Sequence, residues 1–296
     1  YKKARDYYGR IAKVQDEDRA HAALARAEAA LAAEFGHDAA LADSLLEQLR
    51  DKKGKDALAA AAYLAIARGD HEDAFNKATR LTQEFPEEPL GHYLLSRAKI
   101  LVDDGEAALA AIDTSLKLHP RPLSFIAKSQ AEMLRGHYPE ALAAVGKAKQ
   151  LVSEHPGAVI VEAQILIRSG DLPSDESEID DKLQDLIVRA RAEPTNDQAL
   201  SPAQGAWAGL VLAEIKLHRG DDAQARKALA EATVGRPVDW LFSEMLADIL
   251  LRLGDHKAAK EEATRARAAW PLRPKPRVIL AEVALLDGNP QGAIEG

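Results

Sequence analysis

Histidine, aspartate and glutamate are the side chains here that could bind a metal or move a proton, and their spacing gathers none of them into a site. The nine histidines form no ligand pattern, and four of them fall at turns: His37 and His137 directly follow a glycine, and His71 and His256 come one residue later. There is no HExxH, and no two histidines stand one helical turn apart, the spacing that aims two imidazoles at one zinc ion. Carboxylate pairs such as Glu261–Glu262 and Asp180–Asp181 read as solvated helix faces. Each glycine stands alone between helical stretches, so no glycine-rich loop cradles a phosphate. Cysteine is absent, which excludes disulfides, thiolate metal sites and a cysteine nucleophile. The expectation is a chain that is not an enzyme, with no catalytic residue, no metal and no cofactor.

Composition narrows the remaining classes. The chain has 296 residues, 47% of them hydrophobic and 29% charged, enough apolar material for a large core. Its net charge of −8 and the lack of a dense Lys/Arg run leave no electrostatic footprint for phosphate, so nucleic acid is not an expected partner. No stretch approaches the roughly 18 apolar residues of a spanning helix, and no signal peptide is visible. The chain starts at Tyr1 and ends within a repeating pattern at Gly296, so a fragment of a longer protein is expected, tethered to a membrane, if at all, through a region outside it. The alanine-rich, acidic composition suggests a bacterial source. A cysteine-free chain suits cytoplasm and periplasm alike.

The elements that must position any functional side chain come from an internal repeat. Turn signals recur at Gly36-His37, Gly69-Asp70, Gly136-His137, Gly170-Asp171, Gly220-Asp221, Gly254-Asp255 and Gly288-Asn289, each between two stretches of helical apolar spacing. Prolines follow the second helix at Pro86, Pro120, Pro156, Pro194, Pro237 and Pro271; Pro86 to Pro120 and Pro237 to Pro271 are both 34 residues. Glycine frees the turn, and proline stops the second helix. Seven residues before the glycine a small side chain recurs: Ala29, Ala62, Ser129, Ala163, Ala213, Ala247 and Ala281, with Ser96 in the unit that lacks the glycine. A second small column is Ala74, Ala108, Ala141, Ala225, Ala259 and Ala293, and a third contains Ala148, Ala232 and Ala266. Small side chains let two helices approach closely. An apolar column (Ile66, Ile100, Met133, Ile167, Leu217, Leu251 and Leu285) lies one turn beyond the first small one and shares its face.

On these columns, and on stretches such as ARGDHEDAFNKATRLTQEFP and LRLGDHKAAKEEATRARAAWP, the sequence resembles the tetratricopeptide repeat (TPR) superfamily over roughly residues 22 to 296. Some units depart from the family pattern: Glu28, Lys128 and Glu162 stand where leucine is usual, and the first unit has Leu41 for alanine and no closing proline. The resemblance implies an all-α, right-handed superhelical solenoid of antiparallel helix pairs with about 7–8 repeats. It also implies a concave face, lined by the first helix of each pair, on which an extended or helical partner segment lies. The residues placed on that face are Tyr63, Tyr93, Arg97, Gln130, Gln164, Trp207, Glu214, Glu244, Asp248 and Glu282. Tyr63, Tyr93 and Arg97 read as anchors of a mixed first half. Glu214, Glu244, Asp248 and Glu282, beside Trp207 and Trp240, read as an acidic stripe in the second. The alternative for such a polar column is simply the solvated side of the array. No Lys/Asn set suggests a receptor for carboxylate termini.

The expected organisation is an N-terminal helix at 1–19, a first array at 20–172, an irregular unit at 173–206 and a second array at 207–296. The N-terminal helix, with Lys2, Lys3, Arg5, Arg10 and Lys13, is either the end of a preceding unit or a capping or juxtamembrane helix. The acidic insertion, with Ser177 or Asp175 capping the next helix, is either a tolerated surface loop or a hinge or docking loop. The leading functional expectation is a non-catalytic scaffold in a bacterial multiprotein assembly, holding a protein or peptide that is basic or amphipathic where it meets the second half. The alternative is an architectural, oligomerising module of an envelope complex for secretion, pili or polysaccharide export.

Overall fold

The computed structural model describes residues 44, 54–175, 177–192, 200–237, 240–271 and 273–295. The expected N-terminal helix and first repeat, including Glu28, Ala29 and Leu41, lie outside these residues. Among the described residues there are fourteen helices and no strand. They are α1 Lys55–Arg68, α2 His71–Glu84, α3 Pro89–Leu101, α4 Gly105–Leu118, α5 Pro122–Leu134, α6 Tyr138–Leu151 and α7 Pro156–Ser169. There follow α8 Glu178–Arg191, α9 Pro202–His218, α10 Asp222–Ala232, α11 Trp240–Arg252, α12 His256–Ala269, α13 Pro274–Leu286 and α14 Pro290–Glu295. This is the expected all-α succession of helix pairs. The chain divides into two compact units within α7, unit 1 ending at Ile165 and unit 2 starting at Leu166.

The Gly-Asp dipeptide makes the turn inside a pair by two separate devices. Gly69 takes a left-handed conformation with φ 70° and closes α1 through its N–H to Ala65 and Ile66 carbonyls. Asp70 then opens α2: its carboxylate accepts from the Asp73 N–H at 3.0 Å, a cap worth about 1 kcal/mol. Asp221 and Asp255 repeat the cap on the Gln224 and Ala258 N–H groups at 3.0 and 3.2 Å. Where the glycine is missing, Asp103 adopts the positive φ itself, 57°, and Asp104 caps α4.

Within unit 1, α1/α2, α3/α4 and α5/α6 pack as pairs, and each first helix also packs on the next first helix. Ala62, Ser96, Ser129, Ala74, Ala108 and Ala141 are fully covered there. The first part of α7 adds Ala158, Val161 and Ile165 to the core formed by Ile126, Val145 and Ala148. Within unit 2, α9/α10, α11/α12 and α13/α14 pack as pairs, and α8 packs on α9. α9 and α10 approach closely at Gly209, where a Cβ would meet the Ala232 backbone nitrogen at 3.0 Å.

The expected insertion begins irregularly and becomes helical at Glu178, with Ser177 at the N-cap. Asp180 accepts from the Ser177 backbone N–H and hydroxyl at 3.2 and 2.9 Å. Arg219, just past α9, donates two hydrogen bonds to the Asp180 carboxylate at 2.8 and 3.0 Å and a third to the Pro173 carbonyl at 2.9 Å. Lys216 approaches the same carboxylate at 3.1 Å. Burial alone would raise the Asp180 pKa, but the bonds from Arg219, Lys216 and Ser177 outweigh it and hold the group at about 2. The insertion is thereby fastened to the repeat that follows it.

Candidate partner-binding surface

The residues of the expected face sit on first helices, but at different depths. In unit 1, Tyr63 on α1 and Tyr93 on α3 are buried, with ring centroids 6.4 Å apart. Arg97, one turn along α3, donates to the Tyr93 hydroxyl at 3.2 Å. Gln130 on α5 is half-buried, and its carbonyl oxygen is covered without a donor. Gln164 on α7 is also half-buried.

In unit 2 the charges follow a different logic from a simple acidic stripe. Glu244 on α11 is 2% exposed, and Arg273, at the start of α13, donates to both of its oxygens from Nε and Nη2 at 3.0 and 3.3 Å. The Arg273 guanidinium also lies 5.2 Å from the Trp240 ring centroid and 5.4 Å from that of Trp270. The two indoles meet edge-on at 4.7 Å. Glu244 is therefore committed inside the protein. Asp248, one turn along α11, pairs among the described residues with the half-exposed Lys275 at 3.5 Å, and Glu282 on α13 is exposed.

Glu214 on α9 differs from these acids. It is largely covered, and among the described residues it makes neither an ion pair nor a hydrogen bond. Burial raises its pKa, and Asp248 adds to the rise, while Arg168, His218 and Arg252 act from a distance in the opposite sense. Trp207 lies two turns before Glu214 on α9 and so shares its face. The Trp207 ring is partly exposed and rests edge-on against Phe242 at 5.2 Å. Trp207, Glu214 and Asp248 thus offer an aromatic surface beside two carboxylates, one of them poorly compensated.

Sequence reading missed the cations that answer the acids. Arg273 and Arg121 each stand directly before the proline that opens a first helix, and this repeated Arg-Pro dipeptide was the available signal. A further buried cluster joins Glu262 on α12 to Arg236 at 2.8 Å and to Arg265. Among the described residues, no group of three His, Asp or Glu side chains could hold a metal ion, and no helix is long and apolar enough to cross a membrane.

No protein-family model matches the chain, and no curated protein matches it in sequence. Solved structures do match. The Cut9–Hcn1 hetero-tetramer of the APC/C aligns over 94% of this chain and 52% of its own with a TM-score of 0.65 at 12% identity. The human IFIT1 dimer with m7Gppp-AAAA aligns over 93% of this chain and 66% of its own with a TM-score of 0.55 at 16% identity. TTC0263, a TPR protein of Thermus thermophilus, aligns over 67% of this chain and 99% of its own with a TM-score of 0.50 at 17% identity. The chain spans about half the length of the Cut9–Hcn1 chain it matches. It has a TPR-type helical repeat fold.

Proposed function

We propose that the chain is a non-catalytic scaffold that holds a segment of a partner protein along its first helices, and that unit 2 takes a basic or amphipathic stretch of that segment. The observation that carries this reading is Glu214, a largely covered carboxylate with no cation against it, on one face with the partly exposed Trp207. A buried charge without a counter-ion is costly. A lysine or arginine from outside would supply the missing partner, and its aliphatic stem would lie against the indole. Asp248 adds negative potential at the rim, while Glu244 is excluded from contact by Arg273. The TPR-type fold supports a scaffold role, and a net charge of −8 disfavours phosphate-rich ligands. From the alanine-rich, acidic composition alone we infer a bacterial multiprotein assembly as the setting.

The test is fluorescence anisotropy with a capped, lysine-containing amphipathic peptide at low and physiological ionic strength. Binding should weaken with salt and fall by at least about tenfold in the double variant Glu214→Lys, Asp248→Lys. Unchanged binding by that variant would remove the reading.

A further inference from the structure

Unit 1 contains the complement of Glu214. Arg121 and Arg273 occupy the same place in the repeat: each is the residue before the proline of a first helix, and each lies against the first helix of the preceding pair. Arg273 finds Glu244 there and grips it through Nε and Nη2. At the position equivalent to Glu244, Arg121 finds Tyr93, whose ring centroid is 6.0 Å from its guanidinium carbon. The result is specific to two atoms. Nε and Nη2 of Arg121 are covered from solvent and have no hydrogen-bond acceptor among the described residues. They are the same two nitrogens with which Arg273 binds its carboxylate.

Covered donors on a cation, left without an acceptor, are costly, because their hydration has been removed and nothing has replaced it. The side edge of a guanidinium, Nε with Nη2, matches the two oxygens of a planar carboxylate. We propose that Arg121 is a binding site for an aspartate or glutamate side chain of a partner segment, which takes the place that Glu244 fills for Arg273. Tyr93 occupies the position from which that carboxylate must come, so its ring has to give way as the ligand enters. Arg97, bonded to the Tyr93 hydroxyl, keeps a second guanidinium beside the same ring. The inference rests on the reading of the chain as a partner-binding array. It concerns the other unit and the opposite charge, so either can fail alone.

The experiment uses the whole chain and a labelled peptide rich in glutamate, capped at both ends, with its glutamine counterpart as control and a short oligouridylate as competitor. The wild-type chain should bind the glutamate peptide and not the glutamine one. Arg121→Met should weaken that binding by at least about tenfold while leaving binding of the lysine-containing peptide unchanged. It removes an uncompensated charge, so its melting temperature should stay level or rise, and lost binding is not lost folding. Tyr93→Glu, which builds the internal pair, should also abolish binding. Failure of the wild type to bind the glutamate peptide, equal binding by Arg121→Met, or displacement of the peptide by the oligouridylate would each overturn the assignment.

Discussion

Arg121 in unit 1 and Arg273 in unit 2 are one residue in two circumstances. Arg273 is flanked by two indoles and paired with a covered carboxylate, and it joins the end of one repeat to the start of the next. Arg121 has a tyrosine in place of the carboxylate, and its two inner donors are unpaired. The contrast extends beyond this pair. Unit 2 is fastened by three arginine–carboxylate clusters that span 26 to 39 residues: Arg219 with Asp180, Arg236 with Glu262, and Arg273 with Glu244. A covered acid of unit 1, Glu132, is held by its near neighbours Arg135 and His137. The longer ties of unit 1, Lys55 to Glu88, Lys128 to Asp113 and Lys149 to Glu162, are partly exposed lysine pairs. One repeat pattern therefore tolerates two ways of joining neighbours: packing with partly exposed lysine pairs, or packing with covered arginine–carboxylate pairs. Arg121 and Glu214 are ions without such a partner among the described residues, and the two proposed partner contacts fall on them.

Spectroscopy can read the two units separately. The three tryptophans, Trp207, Trp240 and Trp270, all lie in unit 2, and Tyr63, Tyr93 and Tyr138 lie in unit 1. The largest contrast should come from cutting the matched arginines. Glu244→Ala leaves Arg273 buried and uncompensated, so tryptophan-detected urea unfolding should show a loss of about 3–5 kcal/mol. Arg121→Met should cost nothing measurable by circular dichroism, since no pair is broken. Equal losses at the two sites would mean that the arginines do the same structural work.

Acid should separate the units next. The Asp180 pKa is lowered in the folded protein, from its ordinary 3.8 to about 2. Its contribution is therefore fully present above the ordinary value and is lost as pH falls through the folded one. Tryptophan-detected stability should decline between about pH 4 and pH 2, by up to about 2 kcal/mol, and Asp180→Asn should flatten that decline. The smallest effect is expected at Glu214. Its pKa is raised by burial, so ionisation opposes folding above its ordinary range, and Glu214→Gln should raise the tryptophan-detected melting temperature at neutral pH by a few degrees. A lowered melting temperature would mean that Glu214 has a partner in the folded chain.

The repeat was legible in the sequence because its determinants are local. A Gly-Asp turn needs two adjacent residues, and the columns of alanine and serine are set by helical periodicity within each unit. Even the irregular turn shows it: Asp103-Asp104 performs both halves of the task. The depth of each candidate site residue was not legible. Register places Tyr63, Tyr93 and Glu244 on first helices, but whether they are covered depends on which side chain of a neighbouring pair lies over them. Glu244 reads as part of an acidic surface because its answering cation is 29 residues further on. Tyr93 reads as an anchor on the concave face, and in the structure it is buried, with its ring beside Arg121. Among the described residues no arginine pairs with Glu214 or Asp248 as Arg273 does with Glu244.

Amide hydrogen exchange on the whole chain, with and without the lysine-containing amphipathic peptide, addresses the partner-binding claim most directly. Protection should appear on the first helices of unit 2, α9 and α11, around Glu214 and Asp248, and should vanish with the Glu214→Lys, Asp248→Lys variant. Protection confined to the second helices α10 and α12, or protection that survives the double variant, would contradict it.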